Sequence, residues 1–285
     1  KTTLSANLGA LLADTGFRVC LIDTDVQPSL SKHYPLAFRA PGGLYRFITE
    51  NEVSPETISK TEIEGLDIVL SDAPGGQLAQ WLANRADALF RLKTALKHPY
   101  INENYDVVLM DTQGARGAVH SLQNAVILAS KLLISPVRPA ISSAREFLSG
   151  MIEKLDELRA FSEHMMIGLP VVQALIYDQE RTVDARLMAA EIRSQFMRSG
   201  GVVTVLDTVI PHSVAYNEAA TRGVPVHRYE VTRKGSTPSA YEAMHALAWE
   251  FIPGTQTIRA GTGERPDDEG HGDAAASSEP LQAEA

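Results

Sequence analysis

The chain has 285 residues and a formal net charge of −9; 44% of its residues are hydrophobic and 21% are charged. This composition is ordinary for a globular protein and suffices for one large domain or two small ones. The single cysteine, Cys20, excludes an internal disulfide framework and any C-x-x-C metal or iron–sulfur site within one chain, and it indicates a reducing compartment. No apolar run approaches the roughly 20 residues that span a bilayer.

The acidic charge is unevenly distributed along the sequence. Residues 254–285 carry five of the nine net negative charges and are rich in Gly, Ala, Ser, Pro and acids. This composition predicts a disordered acidic tail over 254–285, after one domain over 1–253. Because the body is also mildly acidic, any contact with DNA would need a local basic patch.

Hydrophobic periodicity predicts alternating helices and strands in the first half of the chain. The pattern places helices over 2–13 and 77–97, and short apolar strands over 17–22, 66–70 and 107–110. Strands that are apolar throughout are typical of a parallel sheet that is covered on both faces.

The alternation continues to the end of the predicted domain. Predicted helices follow over 118–129, 142–161, 183–197, 214–222 and 237–251, and predicted strands over 132–135, 171–176 and within 202–210. This rhythm predicts an α/β protein with a parallel, doubly wound sheet and helices on both faces.

Lys1 and Thr2 stand at the start of the first predicted helix. In a phosphate loop, a lysine here neutralises phosphate charge, the next hydroxyl binds Mg²⁺, and the backbone N–H groups of the helix point at the anion. The Gly-rich half of such a loop, G-x-x-x-x-G, would precede Lys1. We therefore expect this sequence to be a fragment that lacks the loop and the first strand of the sheet.

Three aspartates follow predicted strands. Asp23 and Asp25 end the strand over 17–22, and Asp111 ends the strand over 107–110. Ligands bind at the carboxyl edge of open α/β sheets, where these carboxylates would lie. One carboxylate of the first pair can hold a Mg²⁺-bound water and the other can orient an attacking water, while Asp111 matches a Walker B aspartate.

With these features in this order, the chain resembles the ParA/MinD group of deviant-Walker P-loop ATPases, and more closely the ParA (Soj-type) partition proteins. The resemblance covers roughly residues 1–252 and is carried by KTTLSANLG over 1–9, VCLIDTDVQ over 19–27, YDVVLMDT over 105–112, VIPHS over 209–213, EA at 218–219 and GVPV over 223–226. The family's signature lysine, in KGGxGKTT, would lie before Lys1.

The resemblance implies roles for individual residues. It makes Lys1 the Walker A lysine, a catalytic residue that also binds ATP together with Thr2 and Thr3. It makes Thr2 and Asp23 part of the Mg²⁺ shell and Asp25 the catalytic aspartate. Asp111 is assigned to Mg²⁺ as well. Where the family has D-P-Q, this chain has Asp-Val-Gln followed by a proline.

Two further candidate sites lie in the second half of the chain. Tyr177, Asp178 and Pro211 end strands that flank the adenine in similar proteins, although they also fit as ordinary loop residues. Basic residues that flank predicted loops and helix ends are candidates for DNA phosphate contacts, namely Arg181, Arg222, Arg233 and Lys234. A solvated face explains them equally well, and His212 and Ala215 stand where many relatives carry arginines.

The resemblance implies an ATP-dependent partition ATPase for plasmid, chromosome or mobile-element DNA. It would form an ATP-dependent homodimer, bind DNA without sequence preference, respond to a ParB-like centromere-binding protein and be cytoplasmic and nucleoid-associated. A MinD-like membrane-cycling ATPase is the first alternative. Such proteins end in a basic amphipathic helix, whereas an acidic tail is predicted over 254–285. An iron–sulfur carrier would need bridging cysteines. A P-loop interaction protein that does not hydrolyse ATP remains open.

Overall fold

The computed structural model describes residues 1–73, 75–112, 120–233 and 235–252. Its helices are α1 Thr2–Asp14, α2 Leu44–Thr49, α3 Gln77–Ala83, α4 Ala88–Leu96, α5 Pro99–Asn104, α6 His120–Ala129, α7 Ile141–His164, α8 Val183–Arg198, α9 Ala215–Thr221, α10 Val226–Tyr229 and α11 Ala240–Phe251. Its strands are β1 Val19–Asp23, β2 Leu36–Phe38, β3 Ser59–Thr61, β4 Leu66–Val69, β5 Val107–Asp111, β6 Leu132–Val137, β7 Val171–Gln179 and β8 Val203–Pro211. The predicted tail over 254–285 lies outside the described residues.

The strands form two sheets, and the α/β prediction is confirmed. The first sheet has the order β2-β3-β4-β1-β5, and the second has the order β6-β7-β8. β1 pairs in parallel with β4 and β5, and β7 pairs in parallel with β6 and β8. The described strands β5 and β6 are therefore edges of separate sheets, and the expectation of a further strand before Lys1 stays a prediction.

One edge of the first sheet differs from the wholly parallel prediction. β2 and β3 pair with each other, and β3 pairs with β4, in the antiparallel sense. Only residues 62–65 connect β3 to β4. A parallel pair needs a crossover of a dozen or more residues, so a connection this short can only reverse the chain.

The predicted helix over 77–97 is divided into α3 and α4. Residues 84–87 separate them, and Asp87 forms ion pairs with Arg85 and Arg91 at 3.0 and 2.6 Å. Both guanidinium groups also lie over the ring of Trp81, at 4.9 and 5.4 Å from its centroid. The Arg85–Asp87 ion pair and the contact of Arg91 with Trp81 are the ones that a continuous helix would not bring together, and they stabilise the bend between the two helices.

The main core holds α1 against β1 and thereby positions the start of α1 at the sheet edge. Leu8, Leu11 and Leu12 are buried on α1 and belong to the same cluster as Leu21 of β1. Gly9 allows close packing, because a Cβ there would lie 2.7 Å from the Leu21 side chain. The helix is thus fixed along its length against the strand that carries Asp23.

A charged cluster fastens the end of α1 to α10. Asp14 accepts a 2.7 Å hydrogen bond from Nε2 of buried His227, and it accepts two hydrogen bonds from the guanidinium group of Arg228. Partial burial alone would raise the pKa of Asp14, but these hydrogen bonds lower it from 3.8 to about 2.

This lowered pKa makes stability depend on pH in the acid range. A carboxyl whose pKa is lower in the folded state stabilises the protein above its unfolded pKa and loses that contribution as the pH falls through the folded value. We expect about 1 kcal/mol from Asp14 above pH 4, after allowing for solvent screening of its exposed part, lost between about pH 4 and pH 2. Denaturant titration of the parent protein and Asp14→Asn at pH 7 and pH 3 measures this. An equal difference at both pH values would contradict it.

Candidate nucleotide and magnesium site

The carboxyl ends of β1 and β5 bring two aspartates together. Asp23 and Asp111 are paired positions on these neighbouring parallel strands, and both are buried, with 0% and 2% exposure. Burial is the main reason that the pKa of each carboxyl is raised, and repulsion between the two adds to the rise for Asp23. A cation at this edge would offset the cost of burying two carboxylates.

The start of α1 supplies hydroxyl groups to Asp111. Thr2 Oγ1 donates a 2.6 Å hydrogen bond to Asp111 Oδ2, and Ser5 Oγ donates a 3.3 Å hydrogen bond to Oδ1. These donors are one turn apart on α1, so both face the end of β5. The structure therefore brings together Thr2 and Asp111, which the sequence analysis assigned to one Mg²⁺ site.

Asp23 is fixed by the loop that follows β1. Its Oδ2 accepts 2.8 Å hydrogen bonds from both the backbone N–H and the hydroxyl of Ser31, and its Oδ1 accepts a 3.2 Å hydrogen bond from the Asp25 N–H. These donors favour the ionised carboxylate and lower its pKa, against the larger effect of burial. Asp23 is thus held in one orientation beside Asp111.

Asp25 and Lys1 lie at the same edge. Asp25 is half-buried, and its Oδ1 accepts a 2.8 Å hydrogen bond from the Gln27 N–H. Desolvation lowers the pKa of the Lys1 side chain, while the charges of Asp111 and Asp25 raise it. The lysine is therefore within electrostatic range of both carboxylates, and Thr3 follows on the first turn of α1.

The donor set fits Mg²⁺ bound together with phosphates. Mg²⁺ is commonly held by one or two carboxylates, a hydroxyl, several waters and substrate phosphates rather than by an all-protein cage. Thr2, Asp23 and Asp111 supply such donors. Within the described ranges, no three His, Cys, Asp or Glu side chains are grouped to hold a metal without such additional ligands.

The predicted adenine-flanking residues lie together at the carboxyl edge of the second sheet. Gln179 of β7 is paired with Pro211 of β8, which places Tyr177 and Asp178 beside Pro211. Asp178 has a positive φ of 62° and binds two residues that the sequence analysis did not select for this site. These are Arg138, at 3.0 Å, and His212, whose Nδ1 lies 2.7 Å from the carboxylate.

The tyrosine of this group also packs in the core. The ring centroids of Tyr177 and Tyr216 are 6.3 Å apart, and Tyr177 contacts the main core cluster. Only part of its ring is free to border a nucleotide. Arg138 directly follows β6 and His212 directly follows Pro211, so their places at strand ends were the signal that could have revealed them.

The candidate DNA-binding residues have different surroundings. Arg181 is exposed just before α8. The Arg222 guanidinium lies over the Tyr229 ring, 5.0 Å from its centroid, and Arg233 forms an ion pair with Glu242 at 2.9 Å. Lys234 lies outside the described residues. Arg181 is therefore the best placed of the described candidates for a phosphate contact.

Comparisons with known proteins identify the family of this chain. The family model of an AAA domain (AAA_31) matches residues 1–166. The chromosome partitioning protein ParA of Caulobacter vibrioides is 28% identical over 253 residues, which are 88% of this chain and 89% of that protein. The chain belongs to this AAA domain family and, within it, to the ParA/Soj type of P-loop ATPase, as the sequence analysis inferred.

Solved structures show the same fold. A McdA variant from Cyanothece in complex with ATP aligns with a TM-score of 0.64 and 18% identity, over 80% of this chain and 84% of that one. The septum site-determining protein MinD of Pyrococcus horikoshii in complex with Mg-ADP aligns with a TM-score of 0.60 and 20% identity, over 87% and 89%. At sequence identities this low, the two alignments are evidence of a shared fold alone.

No helix in the part of the chain that the structure describes is both long and apolar enough to cross a bilayer.

Proposed function

We propose that this protein is an ATP-hydrolysing partition ATPase that distributes DNA in the cytoplasm. The observation that carries the proposal is the convergence of Thr2, Asp23, Asp25 and Asp111 at one sheet edge, beside Lys1. The relatives' names, chromosome partitioning protein and Soj, support the partition role, and ATP and Mg-ADP in structures of the same fold support the cofactors.

Each residue of the site has a defined task in this proposal. Lys1 binds the phosphates electrostatically, and the N–H groups at the start of α1, including that of Thr3, add donors. Thr2, Asp111 and Asp23 hold Mg²⁺ directly or through water, and the ion neutralises phosphate charge when bound. Asp25 orients the attacking water. Tyr177, Asp178 and Pro211 border the base.

The hydrolysis cycle would control an assembly. ATP would stabilise a homodimer, the dimer would hold nucleoid DNA without sequence preference, and a ParB-like centromere-binding partner would stimulate hydrolysis. Arg181, Arg222, Arg233 and Lys234 are the proposed phosphate contacts. A MinD-like membrane cycle, which uses a basic amphipathic helix, is the alternative.

DNA binding by the complete gene product tests the proposal. With ATP and Mg²⁺, we expect binding to two unrelated duplexes with equal affinity that falls steeply as salt rises, because phosphate contacts release counterions. Fluorescence anisotropy at several salt concentrations measures the affinities. Arg181→Ala should reduce the slope of log affinity against log salt by roughly 0.9.

A matched arginine in the other half of the chain serves as the control. Arg85 is paired with Asp87 between α3 and α4, so Arg85→Ala should leave the slope unchanged. Salt-independent binding, or no binding at low salt with ATP, would contradict the DNA-partition role. Hydrolysis without DNA binding would leave a partner-regulated ATPase, and ATP binding without hydrolysis would favour the interaction-protein alternative.

A further inference from the structure

We propose that Ser31 and Ser71 are positioning residues that fix the loop after β1 against the end of β4 and thereby set the rate of ATP hydrolysis. This loop, residues 24–29, carries Asp25 and is called the Asp25 loop below. The inference rests on the proposed ATPase function. Neither serine belongs to the motifs that identify the phosphate and Mg²⁺ residues. They lie 40 positions apart in the sequence and meet only in the folded chain.

The two serines form a hydrogen-bonded bridge between the aspartates. Ser31 Oγ donates to Asp23 Oδ2 at 2.8 Å and accepts from the Ser71 N–H at 2.9 Å. Ser71 Oγ in turn donates to the backbone carbonyl of Asp25 at 2.7 Å. The path therefore begins at the Asp23 carboxylate and ends at the backbone of the proposed catalytic residue.

The bridge links the backbone of Asp25 itself to β4, whereas the preceding residue, Thr24, is joined to the end of β5 by hydrogen bonds from its N–H and Oγ1 to the Asp111 carbonyl. The contacts of Asp25 to the Asp23 carboxylate and to the Gln27 N–H connect it to residues two positions away. The hydrogen bond from Ser71 instead connects the Asp25 backbone to the residues that follow β4. With Thr24 joined to β5 on one side and Asp25 joined to the end of β4 on the other, the loop is fixed relative to both neighbours of β1.

The end of β4 is itself anchored. The Leu70 carbonyl accepts a 2.8 Å hydrogen bond from the Leu44 N–H, and Asp72 Oδ1 accepts a 2.9 Å hydrogen bond from the Tyr45 N–H. Both donors belong to the first turn of α2, so residues on each side of Ser71 are held by the same helix. The position of Ser71 is therefore fixed, and its hydrogen bond to the Asp25 carbonyl fixes the position of Asp25.

The chemistry of the hydroxyl explains why serine is used at both positions. A hydroxyl donates one hydrogen bond and accepts up to two, which Ser31 uses to join a carboxylate to an N–H. Alanine can do neither, whereas threonine keeps the hydroxyl. Misplacing a catalytic group by about 1 Å can cost up to about a hundredfold in rate, so a loosened Asp25 loop should slow turnover more than it weakens ATP binding.

The test compares Ser31→Ala and Ser71→Ala in the complete gene product with Ser31→Thr and Ser149→Ala. We expect kcat for ATP to fall about tenfold in both alanine variants while KM and the Kd of a fluorescent ATP analogue change less than about twofold. Ser31→Thr should restore most of kcat. Ser149→Ala, on the exposed face of α7, should match the parent, because its hydroxyl donates to backbone carbonyls of the preceding turn.

Hydrogen exchange supplies a readout that does not depend on activity. In Ser31→Ala, the Ser71 amide loses its acceptor, so the peptide that contains it should exchange faster, while α7 peptides stay unchanged. Parent-like kcat and exchange in both alanine variants would overturn the inference and leave the proposed function intact. An equal loss of kcat and ATP affinity without rescue by threonine would also overturn it. Failure of the parent to hydrolyse ATP would overturn the proposed function itself, and the inference with it.

Discussion

Replacing Asp25 with asparagine should reduce the rate of ATP hydrolysis by about a hundredfold or more, while the Kd for ATP changes less than about twofold. Asparagine keeps the size of the side chain and an oxygen that can accept the 2.8 Å hydrogen bond from the Gln27 N–H. It removes the negative charge that orients and polarises the attacking water. Loss of an interaction made mainly in the transition state lowers kcat and leaves ground-state binding unchanged.

Steady-state kinetics and nucleotide binding on the complete gene product measure both quantities. Asp184→Asn is the matched control, because it makes the same chemical change at an exposed position in the first turn of α8. It should hydrolyse ATP at the parent rate. Parent-level turnover by Asp25→Asn would show that another group orients the water, and an equal loss in both variants would point to a general effect of lost charge.

The convergence at the first sheet edge could be predicted because it depends on rules that act along the chain. An apolar run that ends in aspartate predicts a buried parallel strand with its carboxylate at the carboxyl edge. β1 and β5 both follow this rule, so Asp23 and Asp111 meet. A helix that starts directly after Lys1 then places Thr2 at the same edge, where its hydroxyl donates a 2.6 Å hydrogen bond to Asp111.

The serine bridge could not be predicted in the same way. Ser31 is the middle residue of a single 3₁₀ turn, Leu30–Lys32, and Ser71 lies just beyond β4. Neither segment has a hydrophobic period that fixes side-chain direction. Their contact depends on how closely the loop after β1 approaches the end of β4. That distance is set by tertiary packing, which a pattern along the sequence does not encode.

The division of the predicted helix over 77–97 has a similar origin. Apolar spacing continues through residues 84–87, which contain no proline or glycine, so periodicity alone favours one helix. The contacts of Asp87 with Arg91 and of Arg85 with Trp81 join residues four positions apart and would also fit one continuous helix. The bend is stabilised by the Arg85–Asp87 ion pair and by the Arg91 guanidinium group over Trp81, which a continuous helix would not bring together. The last helix begins at Ala240 rather than at 237 because Ser239 and Glu242 form a capping box.

Gly43→Ala should destabilise the fold by about 2 kcal/mol and also slow ATP hydrolysis. A Cβ at this position would collide with the Leu70 carbonyl oxygen and lie 2.9 Å from the carboxyl carbon of Asp72. The obstacle is backbone at the end of β4, which cannot move aside as a flexible side chain can. The collision can be relieved only if α2 moves away from the residues that flank Ser71. The loss of stability and the displacement of the Asp25 loop therefore have one cause.

Gly150→Ala separates this effect from the general effect of replacing glycine. Gly150 lies inside α7, where an added Cβ meets no heavy atom within 4 Å among the described residues beyond the adjacent residues and the backbone of its own helix, so alanine should stabilise the protein by about 0.5–1 kcal/mol. Denaturant unfolding and steady-state kinetics measure both variants. If Gly43→Ala lowered stability but kept the parent kcat, β4 and the Asp25 loop would be uncoupled. Because the collision and the Ser71 hydrogen bond lie on adjacent residues, we expect the two losses together.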